Sequence, residues 1–413
     1  MIGVHVKSEI APLKRVLLHR PGEELLNLTP GTLEELLFDD IPYLKAAQEE
    51  HDAFAAALCR EDVEVVYLEV LMAEVLDMFP SVREGFLRQF IFEAGIRTER
   101  YQRILTDFDN DGYPESRDLV LKTMSGVNLQ ELQNDKTLSL VDLVSDASKM
   151  VVAPMPNLYF TRDPFAIIGD GVSLNRMYSV TRNRETIYGE YIFRYHPSFR
   201  DVPKYYSRYN TFHIEGGDIL NISDKLVAIG ISQRTEPDAI DQLARNLLSS
   251  DSTVETVLAF KIPSSRAFMH LDTVFTQIDH DKFTVHPGIL GPLTVFEITR
   301  NGGGGPGEGK FGMKVREVSG TLEEILSRYL DRSVELIPCG AGSRIAAERE
   351  QWNDGSNTLC IRPGVIVVYE RNDVTNDLLR EKGLHVIEIP SAELSRGRGG
   401  PRCMSMPLWR EDA

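Results

Sequence analysis

Cysteine is scarce in this 413-residue chain, basic residues are outnumbered by acidic ones, and no apolar run approaches the length of a membrane span. Each shortage excludes something. The four cysteines, Cys59, Cys339, Cys360 and Cys403, stand without CxxC spacing, so neither a zinc site nor a disulfide framework is expected, and a reducing cytoplasm fits best. Lys plus Arg total 45 against 62 Asp plus Glu, a net charge of -17, which argues against nucleic acid or an anionic membrane as a partner. The N-terminal stretch MIGVHVKSEIAPLKRVLLHR breaks every apolar segment with a charge, so a soluble, unprocessed protein is expected. What the chain does have is length and 42% hydrophobic residues, enough to bury a substantial core in one large or two ordinary domains.

Periodicity organises that core. Amphipathic segments beginning near Ile41, Glu185, Pro237, Thr321 and Val374 are each followed by a β-rich run, among them VEVVYLEV, TVETVLAF, SVELIPC and LHVIEIP. The run after the second segment, around Tyr205 to His213, is less distinct. Pro237 suits a first helical position, and Thr321-Leu-Glu-Glu reads as a capping box. Further strands, RVLLHR, FAIIGD, KLVAIGIS, TVFTQID and VIVVYE, precede the helices. Five repeats of this kind predict an α/β architecture. From Ala73 to Lys149 the pattern is helix-like nearly throughout and reads as a helical insertion, leaving 1–72 and 150–413 for the α/β part.

Two motifs mislead. Asp107 to Gly112 followed by Asp118 has the spacing of a calcium loop, but its twelfth position is Asp instead of a bidentate Glu, and Pro114 interrupts it; a turn between helices is favoured. Gly304 to Lys310 nearly spells a phosphate-binding loop, yet Phe311 replaces the magnesium-binding hydroxyl and a strand-like run follows where a helix is needed. A flexible glycine loop is favoured there.

Cys403 lies in SRGRGGPRCMSMP, with Arg396, Arg398 and Arg402 close in sequence, a setting expected to favour the thiolate. His270 and Asp272 lie in MHLDTVF, predicted to be extended, so that both polar side chains share one face. His213 and Glu215 stand in the same relation in FHIEGGD, before two glycines that permit a bend. Asp163 precedes Pro164, which holds it extended. Each of these motifs is predicted to end a strand. A cysteine nucleophile, a histidine proton carrier and three carboxylates suit attack on a planar, cationic carbon, so the substrate expected is a guanidinium. A cysteine protease gains nothing from the three acids.

Six blocks then resemble the arginine deiminase family: ELLFDD (35–40), MPNLYFTRDPF (155–165), FHIEGGD (212–218), SQRTEP (232–237), MHLDTVFT (269–276) and RGRGGPRCMSMPL (396–408). The resemblance implies a five-bladed α/β propeller of pseudo-fivefold symmetry with an inserted helical domain at 73–149. It implies hydrolysis of L-arginine to L-citrulline and ammonia, with Cys403 as nucleophile, His270 as general acid and base, Asp163 and Asp272 gripping the guanidinium, and Glu215 orienting His270. Asn157, Arg182 and Arg234 are implied to hold the substrate's α-carboxylate, and Arg398 resembles a mobile arginine near the active site. Arg396 and Arg402 carry only a general electrostatic case. No metal or organic cofactor is expected, and a cytoplasmic homo-oligomer is. The stretch from Asn301 to Gly309 matches no family motif. The rival readings are an enzyme for another guanidine, such as agmatine or methylated arginine, and a non-catalytic arginine sensor; the two carboxylate-directed arginines disfavour the first and the nucleophile disfavours the second.

Overall fold

The computed structural model describes residues 2–98, 102, 105, 113–132, 140, 149–263, 268–301 and 312–412. The acidic run 107–112 and the glycine-rich run 302–311 both lie outside the described residues.

Five sheets repeat one three-stranded unit, in which two antiparallel strands are followed, after a helix, by a third strand parallel to the second. In the first, Leu13–Leu18 (β1) pairs in parallel with Glu64–Tyr67 (β2) and antiparallel with the last strand of the chain, Met406–Arg410 (β19). A small ladder of Val127–Asn128 (β3) and Met150–Val152 (β4) follows. The second unit is Phe165–Ile168 (β5), Gly171–Leu174 (β6) and Lys204–Tyr206 (β7). The third is Ile219–Ser223 (β8), Leu226–Ile231 (β9) and Thr256–Lys261 (β10), and the fourth is Phe275–Gln277 (β11), Lys282–Val285 (β12) and Glu335–Pro338 (β15). Thr294–Arg300 (β13) and Met313–Val318 (β14) extend the third sheet antiparallel. Leu359–Arg362 (β16), Val365–Tyr369 (β17) and His385–Ile389 (β18) make the fifth. The architecture is α/β.

The helices between second and third strands form where the sequence places them. Helix Pro237–Ser249 starts on Pro237 and buries Ala239, Ile240, Leu243, Ala244, Leu247 and Leu248, a single apolar stripe. Helix Leu322–Leu330 is capped by Thr321, whose hydroxyl accepts from Glu324 N–H at 3.3 Å while the Glu324 carboxylate accepts from Thr321 N–H at 2.9 Å. Strand β7 has only three residues, which explains its weak signal. The run VEVVYLEV departs from expectation: its strand ends at Tyr67 and a helix opens at Leu68, because Leu68, Leu71, Met72, Val75 and Leu76 are buried at helical spacing.

Helices Leu68–Met78, Pro80–Glu93 and Ser116–Ser125 follow. Their Met72, Phe86, Phe90 and Val120 pack in one cluster with Phe165, Tyr188 and Phe193 of the second unit, so this helical stretch has a core continuous with the sheets. Among the described residues, no helix is long and apolar enough to cross a membrane.

Candidate active site

The polar residues singled out in the sequence stand at the entries to first strands, not at strand ends. Asp163 precedes β5, Glu215 precedes β8, His270 and Asp272 precede β11, and Cys403 precedes β19. The fifth unit contributes Asn357, just before β16, which sequence reasoning missed. Repetition of one unit therefore delivers a polar side chain from every unit, and two from the fourth, to a common place. The predicted extended run at His270 is also corrected: Leu271–Val274 is a short helix, with His270 extended at its N-cap. The turn forms because buried Asp218 accepts from Leu271 N–H at 2.8 Å while Thr273 donates its hydroxyl to the His270 carbonyl at 2.7 Å.

His270 is held between two acids. Its Nε2 is 2.8 Å from Glu215 Oε2 and its Nδ1 is 3.8 Å from Asp163 Oδ1. Burial alone would lower the imidazole, but Asp163, the hydrogen bond to Glu215 and Asp218 outweigh it and raise it to about 9. Burial likewise opposes ionisation of Glu215, yet Arg234 and His270 bring it down to about 2. At neutral pH the pair is an imidazolium and a carboxylate. Glu215 is fixed in turn by Tyr178 N–H at 3.0 Å, and Asp163 by Gly217 N–H at 3.2 Å and by Arg182 Nη1 at 2.8 Å. Gly217 is required by contact: a Cβ there would meet His270 Nδ1 at 2.6 Å and Asp163 Oδ1 at 3.0 Å.

Cys403 is buried, with its thiol donating to Asp272 Oδ2 at 3.5 Å. That oxygen also accepts from Arg402 Nη1 at 2.8 Å, while Asp272 Oδ1 has no partner. Asn357 bridges the same two residues, accepting from Cys403 N–H at 3.2 Å and donating to the Asp272 carbonyl at 3.2 Å. The expectation that neighbouring arginines favour the thiolate is overturned. Burial, with Asp272, Asp163 and Asp354, pushes the thiol well above its ordinary range against the opposing charge of Arg402. The other two are engaged by other groups: Arg396 pairs with Asp40 and Glu393, and Arg398 pairs with Asp39 at 3.3 Å and stacks on Trp352 at 3.7 Å.

A cavity of about 400 Å³ opens above these groups, lined by Asn157, Asp163, Arg182, Arg234, His270, Arg398 and Cys403, with Phe160 and Tyr178 among its apolar walls. Asp272 and Glu215 stand behind this lining. Arg182 is engaged by Asp163 and by Glu185, at 3.0 Å, and Asn157 donates to the Leu36 carbonyl at 2.7 Å. Arg234 lies over the Tyr178 ring and keeps Nε and Nη1 without hydrogen-bond acceptors. Arg398 Nε, on the same cavity, also has no acceptor, and Arg234 Nη1 lies 3.8 Å from Glu215 Oε1. Among the described residues, Asp163, Glu215 and His270 are also the one set whose donor atoms, all within 4.8 Å, could gather round a metal ion. Two buried carboxylates beside a thiol suit an organic cation equally.

Residues 34–410 match the family model described as arginine deiminase. The chain is 61% identical over 415 residues to an arginine deiminase of Treponema denticola, covering 100% of both chains. It is 56% identical over 413 residues to an arginine deiminase of Clostridium perfringens, covering 99% of this chain and 98% of that one. Among solved structures, an amidinotransferase from Microseira wollei aligns over 99% of this chain and 98% of its own with a TM-score of 0.55 at 14% identity, a likeness of fold alone.

Proposed function

The chain belongs to the arginine deiminase family, and from that premise we propose that it hydrolyses L-arginine to L-citrulline and ammonia through a covalent amidino-thioether on Cys403. The observation that carries this reading is the meeting of one thiol, one imidazolium and the Asp163 carboxylate on a single cavity, with the Asp272 carboxylate directly behind the thiol. Burial and these acids keep the thiol neutral. A guanidinium between Asp163 and Asp272 cancels much of their negative potential, so the thiol releases its proton through the cavity to solvent most readily when substrate is present. The thiolate adds to the guanidinium carbon, and His270, charged at rest, protonates the departing nitrogen, which leaves as ammonia. The neutral imidazole then takes a proton from water, whose oxygen adds to the amidino carbon, and collapse passes the hydroxyl proton to the departing sulfur and releases citrulline and the thiol. Glu215 holds the ring in place throughout.

Selection of the free amino acid falls to Arg234 and Arg182, with Asn157. Arg234 has uncommitted donors, and Arg182 reaches a carboxylate once Asp163 turns to the guanidinium. Arg398, on the cavity wall in a left-handed conformation at φ 64°, closes over the substrate in this reading. We also infer that the five units are the blades of a pseudo-fivefold propeller, at 1–72 and 150–413, with 73–149 as a helical insertion. The common strand order supports this, as does the pairing of the chain's last strand with its first. Free cysteines and the absence, among described residues, of a helix able to cross a membrane support a cytoplasmic enzyme.

The test is formation of the ureido product from arginine, agmatine and methylated arginine side by side, citrulline from the two amino acids and N-carbamoylputrescine from agmatine, with the thiol reduced. Turnover of arginine well above the other two is expected; no citrulline from arginine would sink the reading.

A further inference from the structure

A buried chain of charges runs from the nucleophile away from the cavity and ends on Glu9, in the segment before β1. Arg402, 1% exposed, donates Nη1 to Asp272 Oδ2 at 2.8 Å and, from Nε and Nη2, grips both oxygens of Glu9 at 3.0 and 3.1 Å. Its Nη2 also donates to the Ile219 carbonyl at 2.8 Å. Glu9 is fixed in its turn, with Oε1 accepting from Asn221 N–H at 3.1 Å and its own N–H donating to the Asn221 carbonyl at 2.7 Å. Two guanidiniums more, Arg162 and Arg410, are buried in the same cluster, and Arg162 Nη2 has no acceptor. Three buried cations therefore face two carboxylates, Glu9 and Asp272.

We propose that Glu9 is a positioning residue for the nucleophile. Through its two-pronged hold on Arg402 it fixes the Asp272 carboxylate against the Cys403 thiol, and its charge tempers the arginine cluster behind that thiol. The inference rests on the reading of Cys403 as nucleophile.

The alternative to such an anchor is visible in the geometry. An arginine side chain with one partner swings about that contact, whereas a planar guanidinium held on both edges cannot. Asp272 Oδ2 is shared between Arg402 and the thiol, so its position is set by Arg402, and that of Arg402 by the two oxygens of Glu9 together with the Ile219 carbonyl. The charge also matters at the sulfur. Cys403 is faced by Asp272, Asp163 and Asp354, which disfavour the thiolate, and by Arg402, which favours it, with the phenols of Tyr159 and Tyr369 nearby. Burial opposes ionisation of Glu9, but Arg402 and Arg162 hold it at about 2, so it carries its charge across the working pH range. Its negative charge offsets part of the Arg402 field. Neutralising it while keeping its shape leaves the cations less opposed and makes the thiol more acidic.

Glu9→Gln is the test, read by mass spectrometry as the rate at which iodoacetamide alkylates Cys403 between pH 7 and 9. At each pH below the thiol's midpoint the variant is expected to react about tenfold faster than the wild type, the effect of about one unit of acidity from one partly screened charge. A folded Glu9→Gln protein with unchanged Cys403 alkylation at every pH would overturn the proposal, because a purely structural role alters thermal stability without moving the thiol. Glu9→Asp keeps the charge and shortens the reach. It should alkylate within about twofold of wild type but lose about tenfold in kcat with KM little changed, as Asp272 slackens; unaltered kcat would overturn the positioning role even if Glu9→Gln does not fold. Alkylation reports the thiol itself whether or not it catalyses. Cys403→Ala, assayed in parallel for citrulline, reports separately on the nucleophile.

Discussion

Gly217→Ala probes how tightly the imidazole is placed. The added Cβ would stand 2.6 Å from His270 Nδ1, where ordinary contact begins at 3.4 Å, so roughly 0.8 Å must be made up. The backbone presents no obstacle, since Gly217 is not among the residues with positive φ. The ring has little room to retreat: its far nitrogen is tied at 2.8 Å to Glu215, which is fully buried and held by the Tyr178 amide. Asp163 Oδ1, at 3.0 Å from the new methyl, is displaced with it. Misplacing a reacting group by about 1 Å costs about a hundredfold in rate, or about 2.7 kcal/mol of transition-state stabilisation. Overpacking by one methyl costs about 1–3 kcal/mol of stability, a small shift in Tm for a chain of this length. Steady-state citrulline formation at saturating arginine should therefore show kcat down about a hundredfold in a protein that still melts cooperatively. A folded variant with kcat within threefold of wild type would refute the placement of His270 by this contact.

Other outcomes follow from the same geometry. At pH 7.5 iodoacetamide should modify exposed Cys59 before Cys403, and arginine should protect Cys403 further; mass spectrometry showing Cys403 modified first would contradict a thiol held neutral. Arg234→Ala should raise KM for arginine about 10- to 100-fold, the worth of a charge-assisted hydrogen bond, while inhibition by agmatine, which has no carboxylate, stays put. Equal losses for both ligands would remove Arg234 from carboxylate recognition. The His270–Glu215 pair also sets a pH window for stability. His270, raised from 6.5 to about 9 on folding, contributes fully below pH 6.5 and loses its contribution as pH climbs through about 9; Glu215, lowered from 4.5 to about 2, contributes above pH 4.5 and loses it towards pH 2. The gap in Tm between wild type and His270→Gln should thus be widest between pH 4.5 and 6.5 and narrow towards pH 9, and a gap that widens with rising pH would contradict the assignment.

Much of this was legible in the sequence because it is local. Periods of 3.6 and 2 located the five helix-and-strand units, and local cap chemistry fixed helix starts at Pro237 and Thr321. The residues grouped as a site lie on one cavity or directly behind it. What escaped depends on distance along the chain. Glu9 and Arg402 are 393 residues apart, and Asn357 is 46 from Cys403, with no pattern in either neighbourhood to pair them. The sense of the Cys403 shift was misread for the same reason. Arg396 and Arg398 are near the thiol in sequence but spend their charges on Asp40 and Asp39, whereas the acids that govern it arrive from other units. MHLDTVF looked extended because its alternation is that of a strand, and a buried carboxylate from another unit, Asp218, turns it into a helix.

The most direct measurement is of the covalent intermediate. Protein mixed with arginine, quenched in acid within the first turnovers and digested, should yield the Cys403 peptide heavier by arginine less ammonia, with the other cysteine peptides unchanged and the adduct absent from Cys403→Ala. Citrulline accumulating while Cys403 stays unmodified, or forming at full rate in Cys403→Ala, would contradict nucleophilic catalysis at this thiol.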